Sequence, residues 1–334
     1  MIVRVLVVCA CVILQAAVAD AQSLTVEAAQ TFGYSTEDVA AAATQARLFG
    51  VVASDVRFMI EGSWAERSDT TSDVFGAAYP YDGHPELMEA YGERMFQPGR
   101  GLVGIRLGRY RTPFGIYSAS DHAYVGFLRA PLIRYDNYYA LSNNFLEQGA
   151  DVVVGTPRAY VEVSVGGPAD VGEAQRRSGV DTVVRGQTAF GSAIVGVSYI
   201  DTKPYQPATY AFGRSTFTGV DARWMRSGVQ LRGEWLWGQP FAGVRTRGGY
   251  VDLIVHRPSM GAVTAVCRAE RLAYDAPAPF ALYTSRYTAG TKIRVLERLT
   301  AEVGVMHQTT PLPGQRPTAL DLAVTYTFRH QVTH

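Results

Sequence analysis

Residues 320–328 read LDLAVTYTF, and the alternation is almost strict. Leu320, Leu322, Val324, Tyr326 and Phe328 are apolar, and the residues between them are small or polar. Successive side chains of a strand point to opposite faces, so this stretch makes a ribbon with one oily and one polar side. The pattern recurs along the chain. Val56, Phe58, Ile60 and Trp64 oppose Asp55, Arg57 and Glu61. Val229, Leu231, Trp235 and Trp237 oppose Gln230, Arg232 and Glu234. Tyr287, Ala289, Ile293 and Val295 oppose Arg286, Thr288, Lys292 and Arg294, and Leu299, Ala301, Val303 and Val305 oppose Thr300, Glu302 and Gly304. Each run is about ten residues long, the length of a tilted strand that crosses a bilayer. The apolar faces together exceed what a single core could hide.

Candidate strands lie near 23–33, 41–51, 54–66, 87–96, 101–110, 146–155, 158–166, 179–188, 191–201 and 216–226. Others lie near 228–237, 247–256, 261–273, 282–296, 299–308 and 318–328. That makes about sixteen, an even number, as bacterial outer-membrane barrels have. Ser35-Thr36-Glu37-Asp38 ahead of an alanine run carries an alternative reading, as the cap of a short helix. Connections alternate in length. Short ones, such as 52–54, 97–100, 156–158, 189–190, 226–227 and 297–298, alternate with longer ones at 67–86, 111–145, 167–178, 202–215, 238–246, 274–281 and 309–317. Short periplasmic turns and long outer loops are the signature of a transmembrane barrel, and a soluble sandwich has no reason to keep that parity. The fold class expected is all-β: a transmembrane antiparallel β-barrel of about 16 strands.

The N-terminal segment fits this placement. Arg4 precedes an apolar run over residues 5–14, too short to span a bilayer, and Ala19-Asp20-Ala21 offers a cleavage site. Residues 1–21 therefore read as a secretory signal peptide, and 22–334 as one barrel domain. Cys9 and Cys11 leave with the peptide, and Cys267 alone can form no internal disulfide. A formal net charge of +1 lacks the basic excess of a nucleic-acid binder. The histidines show no metal spacing, and no GxSxG nucleophile elbow is present. No cofactor, metal or catalytic residue is assigned, and the chain is not expected to be an enzyme.

Energetics set the orientation of the faces. Arginine or lysine on the lipid face at mid-membrane costs about 2–4 kcal/mol. Arg57, Arg106, Arg185, Arg223, Arg232, Arg268, Arg286, Lys292 and Arg294 should therefore line a bore. Asp55, Glu61, Asp181, Asp221, Glu234, Asp252, Glu270 and Glu302 share those faces, and the near balance predicts cross-strand ion pairs. The longest connection, 111–144, supplies the candidate constriction through Arg111, Asp121, Arg129, Arg134 and Asp136. Rings of arginine favour anions and rings of carboxylates favour cations. The alternative is that these loop charges pair and pin the loop to the wall.

The segment GRYRTPFGIY, residues 108–117, resembles the strand-plus-loop segment of the phosphate-selective porin O and P family, with its glycine, basic residue, proline, phenylalanine and glycine. The resemblance implies a sixteen-stranded passive anion channel whose third long loop narrows the barrel, and it allows a homotrimer. Lysine is scarce in this chain. The expected function is an outer-membrane channel for small hydrophilic solutes with a weak anion preference. The alternative is an outer-membrane barrel enzyme or adhesin whose loops plug the lumen. Expected partners are outer-membrane lipid and lipopolysaccharide, small solutes or anions, and the barrel-assembly machinery.

Overall fold

The computed structural model describes residues 23–69, 74, 85–116, 128–129, 131–134, 146–168, 180–202, 215–241, 244–276, 281–311 and 316–333. The signal-peptide reading, Asp121 and Asp136 lie outside these residues.

The first eight strands are β1 (Ser23–Ser35), β2 (Val39–Ala53), β3 (Val56–Arg67), β4 (Glu86–Phe96), β5 (Leu102–Arg111), β6 (Leu146–Gly155), β7 (Ala159–Pro168) and β8 (Asp181–Phe190). The second eight are β9 (Ala193–Thr202), β10 (Ser215–Arg226), β11 (Val229–Phe241), β12 (Val244–Val255), β13 (Val263–Asp275), β14 (Leu282–Leu296), β15 (Leu299–Gln308) and β16 (Thr318–Thr333). Each pairs antiparallel with its neighbour in sequence, and β16 returns to β1 to close the barrel. Closure removes the sheet edges, so strand backbone groups find partners without water.

The two ends of the barrel differ as the loop parity requires. At the end carrying β16's last residues the turns are tight. Ser227 and Gly228 join β10 to β11 with φ of 48° and 75°, the left-handed pair of a two-residue hairpin turn. A Cβ at position 228 would lie 2.1 Å from the His256 carbonyl oxygen, so glycine is required there. At the other end lie the long connections.

Three details depart from the sequence reading. The 35–38 stretch forms no helix: the Asp38 N–H donates to the Ser35 carbonyl at 3.0 Å, Asp38 has φ of 63°, and β2 starts at Val39. The alanines of β2 are held in ladders to β1 and β3, and that pairing overrides their helix propensity. The 238–246 segment is no long loop, because β11 continues to Phe241 through a register shift and β12 begins at Val244. The Ser215 hydroxyl donates to the Pro240 carbonyl and holds this end of the ribbon. The last strand does not stop at residue 328 either. Residues 329–333 extend β16 to Thr333, with Arg329 opposite Glu27 and Gln331 opposite Thr25. Beyond the hydrocarbon layer a strand need not carry apolar residues, so composition gave no sign of this extension.

The alternation sorts side chains by solvent. Trp235 and Val324 point outward and are 43% and 44% exposed, whereas Arg232 and Arg286 point inward at 1% and 0%. The outer surface thus carries an apolar belt suited to lipid, and charges such as Arg232 and Arg286 lie inside.

Candidate functional site

The connection after β5 folds into the barrel. Phe114, Ile116, Leu132 and Ile133 join one buried cluster with Val183, Ile200, Phe217, Leu236, Tyr250, Leu272, Tyr274 and Leu282, which are inward residues of β8 through β14. The wall makes room for them with glycine. A Cβ on Gly219 would approach Phe114 Cζ to 3.0 Å, and one on Gly248 would approach Ile133 Cγ2 to 2.9 Å.

Polar anchors complete the attachment. The Arg129 guanidinium donates to both Asp321 oxygens at 2.7 and 2.9 Å and to Glu37 Oε2 at 2.9 Å. Asp321 also accepts from the Ser35 hydroxyl at 2.6 Å. The Arg129 side chain therefore crosses to β16 and to the β1–β2 turn, while its carbonyl accepts from Arg268 Nη1 at 3.0 Å. Leu132 N–H donates to Glu270 Oε2 at 2.6 Å. The backbone around Arg129 also bridges to Val74 of the preceding long connection. The loop is thus stitched across the upper lumen from the closure seam to β13. The Leu132–Arg134 3-10 turn contains Arg134, whose side chain lies outside the described residues.

Behind the loop, the upper β8–β14 wall is buried and its arginines are paired with carboxylates. Arg185 reaches across β9 to Asp221, with contacts of 2.7 and 2.9 Å, and also donates to Ser198 at 2.8 Å. Gly196 permits this span, since a Cβ there would sit 2.6 Å from both Arg185 Nη2 and Asp221 Oδ2. Asp252 accepts from Arg232 at 2.9 Å and from Arg268 at 2.6 and 2.9 Å. Glu270 holds Arg286 at 2.9 Å, and the Arg268 guanidinium lies 5.2 Å from the Tyr250 ring centroid. Nearer the tight-turn end, Arg223 is half-buried and contacts Gln187 at 3.4 Å. Arg294 lies exposed at that rim.

The opposite wall, β2 through β7, is wet. Arg111 leaves β5 to bind Glu61 at 2.8 Å and approaches Glu89 at 3.5 Å. Arg47 binds the same Glu61 at 2.7 Å. Arg106 lies among Glu93 (2.7 Å), Asp151 (3.3 Å) and Glu162 (3.8 Å), and Arg57 binds Glu93 at 2.7 Å. Arg106 also stacks on Tyr91 and Tyr110, at 5.0 and 5.6 Å from the ring centroids. In three of these pairs the cation stands above its carboxylate. The side chains of Arg57, Arg106 and Arg47 are 44%, 19% and 23% exposed, against 7% for Glu93, 1% for Asp151 and 0% for Glu61. Lys292 above Glu302 repeats the pattern on β14 and β15. Asp55 sits at the rim, where it binds Arg94 at 2.8 Å.

Sequence reasoning passed over Arg47, Glu89, Glu93, Asp151 and Glu162. Each sits at an inward position within a strand, and a lone carboxylate among valines, as in β6 and β7, was the available signal.

No protein-family model matches the sequence, and no curated protein is detectably similar to it. Solved structures do share its fold. OmpF of Salmonella typhi, in complex with daunomycin, superposes with a TM-score of 0.66 at 11% identity, over 92% of this chain and 98% of that one. The trimer form of OmpT, an outer membrane protein of Vibrio cholerae, gives 0.61 at 9% identity, over 91% and 98%. An anion-selective porin from Comamonas acidovorans gives 0.59 at 12% identity, over 92% and 100%. The chain thus has the closed, sixteen-stranded antiparallel barrel fold found in outer-membrane porins.

Proposed function

We propose that this protein is an outer-membrane channel through which small hydrophilic solutes diffuse passively, with a weak preference for anions. The supporting observation is the layering of the wet wall: guanidinium groups face the water and carboxylates lie beneath them. A solute passing between the crossing loop and β2–β7 would meet Arg57, Arg106 and Arg47 first. Each of these cations is paired with a carboxylate, so the reading is general anion preference and not phosphate selectivity, despite the likeness at residues 108–117. Planar-bilayer recording tests it. The expected results are stepwise conductance, a reversal potential displaced toward anions in a salt gradient, and similar permeation of chloride and phosphate. Absence of conductance would favour a plugged barrel, a reading to which the loop's packing over β8–β14 lends some support.

A homotrimer is part of the proposal. The outward face of β1 and β2 is unlike the rest of the belt. Ala28, Ala40, Ala42 and Ala46 lie on it beside the exposed Phe32 and Tyr34, and in its middle the Thr44 hydroxyl donates to Gln30 Oε1. A polar pair costs free energy against lipid tails and suits a protein neighbour, as small and polar residues do between membrane helices. Thr44→Leu with Gln30→Leu should leave the barrel folded and weaken the oligomer on an unboiled gel. An unchanged oligomer would place the interface elsewhere.

A further inference from the structure

The rim that carries the short turns is basic and, in places, apolar. Arg100, Arg158, Arg226, Arg257 and Arg294 are exposed there, and among the described residues none of them has a carboxylate partner. Against them stand Asp55, which holds Arg94 at 2.8 Å, and Glu297 in the turn before β15. Met225, Phe190 and Leu296 share this rim. At 67%, 65% and 64% they are the most exposed large apolar side chains among the described residues. Met225 alternates along β10 with Asp221 and Arg223 on the inward side, so contact with lipid does not account for it.

Backbone hydrogen bonds run from turn to turn and fix the order of these groups. The Arg158 carbonyl accepts from the N–H of Ala189, next to Phe190, at 2.7 Å. The Ser192 carbonyl accepts from the N–H of Met225, next to Arg226, at 3.1 Å. The Gly228 carbonyl accepts from the N–H of His256, next to Arg257, at 2.7 Å, and the Ala262 carbonyl accepts from Arg294 N–H at 3.0 Å. The result is a pre-ordered arc from β7 to β14 on which arginines are interspersed with bulky apolar groups. Adjacent strands lie about 4.8 Å apart, so successive hairpins present their arginines at intervals. A ligand that meets several of them carries negative charges along its length. A small solute anion would need no apolar contact, whereas arginine together with methionine and phenylalanine is the composition enriched where proteins meet.

We propose that this arc docks an acidic segment of a soluble periplasmic protein. Its carboxylates would meet Arg158, Arg226 and Arg257, and its apolar side chains would cover Phe190 and Met225. Short turns face the periplasm in barrels of this kind, so the partner comes from that compartment. The inference uses the outer-membrane placement and not conductance, and a silent channel would leave it standing.

The test is fluorescence anisotropy of the detergent-solubilised barrel with a short labelled peptide rich in glutamate and leucine. Binding should be clear at low ionic strength and should weaken with salt, because the arginines are exposed. Arg158→Gln with Arg226→Gln and Arg257→Gln should weaken it on the order of tenfold. Phe190→Ser with Met225→Ser should also weaken it, and the loss should persist at high salt. Arg245→Gln with Arg247→Gln, exposed on β12 near the long connections, should leave it unchanged. Heat-modifiable gel mobility reports that each variant is folded. Wild-type binding by the folded triple variant would overturn the proposal, as would equal binding of the same peptide with glutamine in place of glutamate. An unaffected Phe190 and Met225 double variant would overturn it too, by marking a bare ring of charge. So would equal competition by phosphatidylglycerol vesicles or by solubilised peptidoglycan, which would show that the arc takes any anionic surface.

Discussion

Arg185 and Arg57 are the same residue type at equivalent inward positions, yet they have different surroundings. On β8–β14 the folded-in loop excludes water, and Arg185 is sealed against Asp221 and Ser198. On β2–β7 Arg57 lies over Glu93 with nearly half its side chain exposed. The alternation that directs charges into the bore is common to both halves. Whether a charge then holds the structure together or meets a solute depends on what lies over it, and here that is a segment from another part of the chain.

The strongest way to break this comparison is to remove a carboxylate from the dry side. Asp252→Ala removes the carboxylate shared by two buried arginines, Arg232 and Arg268. Loss of one partner of a buried pair costs about 3–5 kcal/mol, so the urea midpoint of the barrel in detergent should fall steeply. A midpoint unchanged from wild type would show that water reaches this wall. Next comes the loop. Phe114→Ala leaves a void against Gly219, and a buried phenylalanine truncation costs about 3–5 kcal/mol. Part of that loss should appear as a looser loop, measured as a larger and noisier single-channel conductance. Arg129→Ala should act similarly, by cutting the link to Asp321 and Glu37. It should change conductance before selectivity, because its guanidinium is already neutralised.

Smaller in free energy but sharper in meaning is Arg57→Glu with Arg106→Glu on the wet side. The reversal potential should move toward cations, and an unmoved value would mean that permeating ions pass elsewhere. Smallest is Lys292→Ala. Partly exposed ion pairs contribute about 0–1 kcal/mol, so thermal unfolding should barely shift, in contrast to Asp252→Ala.

Much of the barrel was legible because a bilayer enforces a simple code. The reading of 146–155 and 282–296 coincides with β6 and β14, whose apolar alternation spans the hydrocarbon. The code lapses where lipid no longer enforces it, at the polar end of β16 and around Pro240. The inward set was legible too, from residues such as Arg232 and Arg286. Partner choice was not. Arg185 finds Asp221 two strands away because Gly196 lies between them, and Arg129 finds Asp321 because a loop crosses the lumen. Neither contact follows from the spacing of residues along one strand. Which wall the loop would cover, and so which arginines would stay wet, depends on the fit of Phe114 and Ile133 into glycine gaps on distant strands.

The seam between β1 and β16 has a kinetic consequence. Thr31 and Thr325 share a hydrogen bond across 294 residues of chain, and every rung of that ladder is comparably remote. Contacts so distant in sequence make folding slow, since loop-closure entropy must be overcome before they form. The cylinder cannot shut until synthesis and export have delivered its last segment. Until then the polypeptide is an open sheet with two unpaired margins and a greasy flank, a species that a cell must escort to the membrane to keep it from aggregating.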